Sequence, residues 1–67
     1  MEYTNSQIKA LIIEYVHSQR DRKILYRRLV DGMTFDSLAE EFQMSSRQIK
    51  TIVYNAEKIL FSHLPAP

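Results

Sequence analysis

The fold of this chain is decided by residues 34–53, which read Thr34-Phe-Asp-Ser-Leu-Ala-Glu-Glu-Phe-Gln-Met-Ser-Ser-Arg-Gln-Ile-Lys-Thr-Ile-Val53. Apolar residues recur three and four positions apart on both sides of a gap at Gln43-Met44-Ser45, which predicts two helices. Thr34 and Ser45 stand where the N-caps of these helices are needed. A gap of three residues is the length of the turn in a helix-turn-helix. The second helix is therefore expected to be a recognition helix over about 46–63.

Small and apolar side chains are expected to hold these two helices together. Ala39 lies where the two helices must approach closely, so a small side chain is expected there. Ser45 with Gln48 forms a predicted capping box at the start of the second helix. The apolar positions expected to pack are Leu38, Phe42, Met44, Ile49, Ile52, Val53, Ala56, Ile59 and Leu60.

Two further helical patterns precede this pair. The first runs from Ser6 to His17 behind a cap at Thr4, Asn5 or Ser6, and it is expected to cover the apolar side of the other helices. The second runs from about Gln19 to Val30 and ends before Gly32, a typical stop signal. Its start has Ser18 followed three residues later by Asp21, which predicts another capping box with Asp in place of Glu.

Length and composition bound the class of protein. The chain has 67 residues, of which 45% are apolar, so we expect one all-α, four-helix domain over residues 1–64 and a short tail at 65–67. It contains no cysteine, which excludes a disulfide framework and fits a reducing compartment. The start has no signal-peptide pattern, and no apolar run approaches the ~20 residues of a membrane span. The expected location is the cytoplasm, with no membrane partner.

The charged residues are arranged in blocks, although the formal net charge is only +1. Residues 20–28 and 45–58 are predominantly basic, whereas residues 31–44 between them contain four acidic side chains and no basic one. Such a chain can present a basic face to phosphate without being a general polycation.

These motifs together resemble region 4 of the bacterial sigma-70-family factors, and the small phage-type regulators built on that module. The resemblance covers about Ser18 to Leu60 and implies a helix-turn-helix without a wing, binding to promoter-like duplex DNA, and RNA polymerase as a partner. The chain departs from the pattern at Gln43, where glycine is usual, and it has no room for a region that melts promoter DNA. The resemblance implies that Gln43 takes a left-handed backbone, at a cost of roughly 1 kcal/mol. The matching segments are Ser18-Gln-Arg-Asp-Arg-Lys-Ile-Leu25, Gly32-Met-Thr34, Leu38-Ala-Glu-Glu-Phe42, Ser45-Ser-Arg-Gln-Ile49 and Ala56-Glu-Lys-Ile-Leu60.

The surface that would contact DNA follows from helical periodicity alone. At about 100° per residue the apolar positions of the last helix point one way, and a basic, polar and aromatic face points the other. Arg47 in the first turn suits bidentate contact with guanine, and Lys50 and Thr51 suit base edges or phosphate. The serines at the helix start suit a phosphate, and Thr34 begins the supporting helix. The expected DNA-contacting residues are Thr34, Ser45, Ser46, Arg47, Lys50, Thr51, Tyr54 and Lys58, with nonspecific phosphate contacts from Arg20, Arg22, Lys23, Arg27 and Arg28.

Each of these assignments has an alternative that the sequence leaves open. The basic residues of the last helix also fit a solvated helix face, and Tyr54 also fits packing on the first helix. The cations between Arg20 and Arg28 can instead pair with acidic residues within the domain, at Asp31, Glu40 and Glu41. Ser45 is a helix cap first, and any phosphate contact there is secondary.

An enzyme is not expected, because the chain has no glycine-rich phosphate loop, no catalytic triad pattern and little room for a substrate pocket. His17 and His63 are isolated, so neither a metal site nor a cofactor is expected, and no small-molecule substrate. Tyr3, Ile13 and Tyr15 predict a homodimer interface if they stay exposed. The rival hypothesis is a protein-interaction module, for example one associated with RNA polymerase, and a weaker third is a phage assembly protein.

Overall fold

The computed structural model describes residues 4–63. They form four helices, α1 (Asn5–Tyr15), α2 (Gln19–Leu29), α3 (Phe35–Phe42) and α4 (Ser46–Ser62), and no strand occurs within this range. The predicted all-α, four-helix architecture is confirmed. The limits of the predicted domain, its tail at 65–67 and the predicted role of Tyr3 lie outside the described residues.

Every helix begins at a hydroxyl residue whose side chain accepts a hydrogen bond from the backbone three residues on. These N-caps are Thr4, Ser18, Thr34 and Ser45. Such a cap satisfies one of the donors that a helix start leaves free, typically worth about 1 kcal/mol. The predicted capping box at Ser45 is present, since Gln48 Oε1 accepts from the Ser45 backbone N–H at 3.0 Å.

The capping box predicted at Ser18 is only half formed, so that part of the prediction is wrong. Ser18 accepts from the Asp21 backbone N–H at 3.3 Å, but no reciprocal bond from Asp21 to the cap is found. The Asp21 carboxylate instead pairs with Arg20 Nε at 3.2 Å. Asp is one methylene shorter than the usual Glu, and a cation beside it offers the stronger partner.

The first helix ends two residues earlier than predicted. Val16, which follows the last helical residue, has an extended backbone with φ −114° and ψ 115°. The Arg22 guanidinium from α2 donates to the carbonyl oxygens of Val16 and, at 2.7 Å, of Ile13. Helix ends leave carbonyls without partners, so a charged donor from a neighbouring helix stabilises this terminus.

The link between α3 and α4 contains the left-handed residue that the resemblance implies. Gln43 has φ 55° and ψ 47°, and the Met44 backbone N–H bonds to the Ala39 carbonyl at 2.9 Å. A bond that reaches back five residues closes a Schellman motif, which ends α3 and redirects the chain within three residues. Gly32 adopts the second positive φ of the described chain, +72°, in the link between α2 and α3.

The core lies where α2 and α4 meet each other and the other two helices. Helix α2 contacts α1, α3 and α4, and α4 also contacts α1 and α3, whereas α1 and α3 do not pack against one another within the described range. The buried side chains are Ile12, Val16, Ile24, Leu25, Leu38, Ile49, Val53, Ala56 and Leu60.

The prediction that Ile59 of α4 belongs to the core is wrong. Ile59 is 47% exposed, although its spacing places it next to buried positions. It lies at the edge of a cleft of about 310 Å³ between the end of α1 and α4. Tyr15, the last residue of α1, lines the same cleft and leaves Ile59 exposed.

Candidate nucleic-acid interface

Helix α4 divides into a buried side and a solvent-exposed side. Its buried residues recur every three or four positions and pack on all three other helices. The opposite side is exposed from Arg47 to Lys58 and carries two hydroxyl-bearing and three cationic side chains, and the exposed Phe61 follows in the last turn. We call these residues the α4 outer face: Arg47, Lys50, Thr51, Tyr54 and Lys58. The orientation predicted from periodicity is therefore the one found.

An aromatic ring connects one edge of the α4 outer face to the neighbouring helices. The Arg28 guanidinium carbon lies 4.2 Å from the centre of the Phe35 ring, and Lys50 Nζ lies 5.8 Å from it. The Tyr54 ring meets Phe35 edge-to-face, with centroids 5.8 Å apart and planes at 75°. Contacts of this kind hold cations over a ring face and fix aromatic pairs. The Phe35 cluster (Arg28, Phe35, Lys50 and Tyr54) thus gathers charge from α2 and α4 at the start of α3.

The role of Phe35 was not predicted, because the sequence pattern marks it only as an apolar position of a helix. The helical pattern also allows Tyr54 to pack on α1. Tyr54 is 51% exposed and contacts α3 through Phe35 instead. A helical pattern locates Phe35 at the first position of α3, but the contact with Arg28 depends on how α2 meets α3.

A shallow groove borders the other edge of the α4 outer face. It has a volume of about 370 Å³ and is lined by Arg47 and Thr51 of α4 and by Arg20 of α2, together with Met44, Gln48 and Ile52. The Arg20 side chain is 56% exposed and shares its charge with Asp21. The α4 outer face therefore has one arginine of α2 on each side, Arg20 and Arg28.

The hydroxyls at the helix starts are already hydrogen-bonded within the protein. Ser46 Oγ donates to Asp36 Oδ1 at 2.6 Å. Thr34 Oγ1 accepts from the Ser37 backbone N–H at 3.1 Å and donates to the Ser37 hydroxyl at 2.9 Å. The start of α4, which was predicted to receive a phosphate, thus has a carboxylate beside it. Only the free backbone N–H groups of the first turn remain for an anion there.

The other cations of α2 lie away from the α4 outer face. Arg22 is bonded to carbonyls at the end of α1, and Arg27 Nε forms an ion pair with Glu41 at 2.6 Å. Together with the exposed Lys23 they line a different groove, beside α1 and the end of α3. The structure therefore separates the five cations predicted as phosphate contacts into two groups. Pairing within the domain, the alternative left open above, occurs at Arg27.

The two histidines are placed apart from this surface. The His63 ring stacks on Tyr15, with centroids 4.1 Å apart and planes at 5°, and His17 is exposed in the link between α1 and α2. Within residues 4–63 no group of three or more His, Cys, Asp or Glu side chains is placed to hold a metal ion. None of the four helices is both long and apolar enough to span a membrane.

No protein-family model matches this chain, and comparison with curated proteins and with solved structures finds no significant similarity. A functional proposal therefore depends on the geometry of the described residues.

Proposed function

We propose that this chain binds duplex DNA sequence-specifically, as a transcriptional regulator in which α3 and α4 act as a helix-turn-helix. The observation that carries the proposal is the α4 outer face, which is exposed, polar and cationic, and has Arg20 and Arg28 beside it. An α-helix fits the major groove of B-DNA, which is about 12 Å wide. A helix whose opposite side is buried in a small domain is well suited to enter that groove.

The length of the α4 outer face limits what it reads. Arg47 and Tyr54 are seven positions apart, which is about 10 Å along a helix. That distance matches about three base-pair steps of 3.4 Å each. Arg47 is the candidate for guanine O6 and N7. The Thr51 hydroxyl donates to the Arg47 carbonyl at 3.0 Å, which leaves its oxygen able to accept from a base amino group.

The surrounding cations are proposed to hold the domain on the phosphate backbone. Lys58 lies two turns from Lys50 on the same face, and Arg20 and Arg28 extend the charge to either side. Contacts of this type give affinity and register but little sequence information. Contact with about three base pairs gives limited sequence specificity. The proposal therefore includes a second source of specificity, which is either a homodimer on paired half-sites or RNA polymerase as a partner.

The first test is binding of the purified chain to random duplex DNA by fluorescence anisotropy at several salt concentrations. The logarithm of the association constant is expected to fall with the logarithm of salt, with a slope of about −0.9 per phosphate neutralised. Arg47→Ala is expected to cost about 1–3 kcal/mol on a selected site and to relax specificity at one base pair. Lys58→Ala should weaken all sequences alike and reduce the salt slope by about 1.

Lys23→Ala is the matched control, because it removes the same charge from an exposed position that lines the groove beside α1. It should change DNA affinity much less than Arg47→Ala, with the helical circular dichroism signal preserved in both variants. Equal losses for the two variants would show that net charge, rather than the α4 outer face, determines binding. Absence of binding at low salt would overturn the proposal.

A protein-interaction function is the second candidate, and one specific observation favours it. Asp36 accepts the Ser46 hydroxyl beside the first turn of α4, and Glu40 is exposed on the same short helix. Negative charge at that position opposes a phosphate but suits a basic protein surface. If the chain fails to bind DNA, core RNA polymerase is the first partner to test by the same anisotropy method.

A further inference from the structure

Another groove of the domain is lined by residues of α1, α2 and α3 and by none of α4. Helices α1 and α3 both pack on α2 but not on each other, and the space left between them is a groove of about 520 Å³. Its lining residues come from α1, α2, the link after α2 and the end of α3.

The floor of this groove is apolar. It includes Ile12, which is buried, and Tyr26 and Phe42, which are half-buried. Ile13 stands at the groove with 58% of its surface exposed, more than any other large apolar residue described. An aliphatic side chain left in water beside half-buried rings gains free energy when a partner covers it, about 25 cal/mol for each Å² of apolar surface removed from water.

The rim of the groove is predominantly cationic. Lys9, Arg22, Lys23 and Arg27 line it, against Asp31 and Glu41. Glu41 is already paired with Arg27, and within residues 4–63 no ion pair is formed by Lys9 or Lys23. Lys9 Nζ lies 5.2 Å from the centre of the Tyr26 ring, so this cation is held directly above the apolar floor.

We propose that this groove binds an acidic amphipathic segment of another protein. The apolar side chains of the segment would cover Ile13 and the floor, and its Asp and Glu side chains would meet Lys9 and Lys23. A helix lying in a groove is a common way to combine an apolar stripe with flanking charges. DNA fits this surface less well, because a phosphate backbone gains nothing from an aliphatic floor. The proposal does not depend on DNA binding by α4, since the two surfaces use different residues.

The test is selection from a displayed library of random peptides about 15 residues long, roughly four helical turns, against the full chain. Selected peptides are expected to carry apolar residues three and four positions apart, with an excess of Asp and Glu. A fluorescently labelled selected peptide should bind Ile13→Glu and Lys23→Glu at least about tenfold more weakly.

Two exposed residues of α4 provide matched controls. Ile59→Glu introduces the same charge at an exposed isoleucine outside the groove, and Lys58→Glu reverses an exposed lysine outside it. Both should leave peptide affinity within about twofold, a change below about 0.5 kcal/mol.

Three results would overturn the proposal. The first is selection of no peptide, or of peptides without acidic excess. The second is equal weakening by the groove variants and by the controls. The third is a concentration-dependent dimer in analytical ultracentrifugation that Ile13→Glu abolishes, since this would show that a second copy of the chain covers the groove.

Discussion

Replacing Gln43 by glycine should stabilise the domain. Gln43 has φ 55°, and a side chain in the left-handed region costs about 1–2 kcal/mol, which glycine avoids. Glycine also gives the unfolded chain more freedom, which costs about 0.4–1 kcal/mol of stability. The Gln43 side chain is exposed and has no hydrogen bond to another described residue, so little else is lost. The net expectation is a gain of about 0.5–1 kcal/mol.

The reverse substitution at Gly32 provides the matched control. Gly32 has φ +72°, and a Cβ added there would meet no atom within 4 Å, so Gly32→Ala changes the backbone terms with no steric clash. The left-handed backbone then becomes costly and the unfolded chain becomes less free, which are the two effects above with opposite sign. The free energy of unfolding is therefore expected to fall by about 0.5–1 kcal/mol. The two sites lie in different interhelical links, so the double variant should be close to the original protein in stability.

Thermal unfolding followed by far-ultraviolet circular dichroism measures both effects. In a domain of this size 1 kcal/mol shifts the Tm by roughly 4–8 °C, so Gln43→Gly should raise it by about 2–8 °C and Gly32→Ala should lower it similarly. DNA affinity should not change in Gln43→Gly, because glycine permits the same turn. A lower Tm for Gln43→Gly would refute the argument that strain at this turn limits stability.

Two further predictions concern the core and the start of α4. Leu38→Ala removes a fully buried side chain and should lower the free energy of unfolding by about 2–5 kcal/mol, enough to unfold much of so small a domain. Ile13→Ala changes an exposed site and should lower it by less than about 0.5 kcal/mol. Urea unfolding curves measure both changes. Asp36→Asn should tighten DNA binding up to about fivefold, since a charge about 4 Å from a phosphate costs about 1 kcal/mol in water. Asp31→Asn is the control, because it changes the net charge by the same amount at the groove beside α1. If both variants change the DNA affinity measured by anisotropy equally, the start of α4 does not face phosphate.

Local patterns in the sequence predicted most of the helix limits. The caps at Ser18, Thr34 and Ser45 were identified because a cap bonds to a backbone group only three residues away. The left-handed turn at Gln43 was expected from the family resemblance, in which glycine is usual at this position, and the structure has φ 55° there. The end of α1 was predicted two residues too late, and there the carbonyls of Ile13 and Val16 accept hydrogen bonds from Arg22 of another helix, a contact that local patterns do not contain.

Part of the candidate site was also predictable from local helical patterns. Which residues of α4 face outward follows from the period of the helix, and the structure agrees at all five positions of the α4 outer face. The exposure of Ile59 was not predicted from the helical period, because it depends on how the residues after α1 pack beside α4. The Phe35 cluster likewise requires α2, α3 and α4 to meet at one point.

Where the helices begin and which side of each is apolar depend on contacts within about four residues, so both are predictable from the order of the amino acids. How the cations of α2 are used depends instead on helix packing: Arg20 and Arg28 lie beside α4, and Arg22, Lys23 and Arg27 lie at the groove next to α1. These five residues are close neighbours in sequence. Successive positions on a helix point in different directions, and the helix packed against each direction determines the partner of each charge.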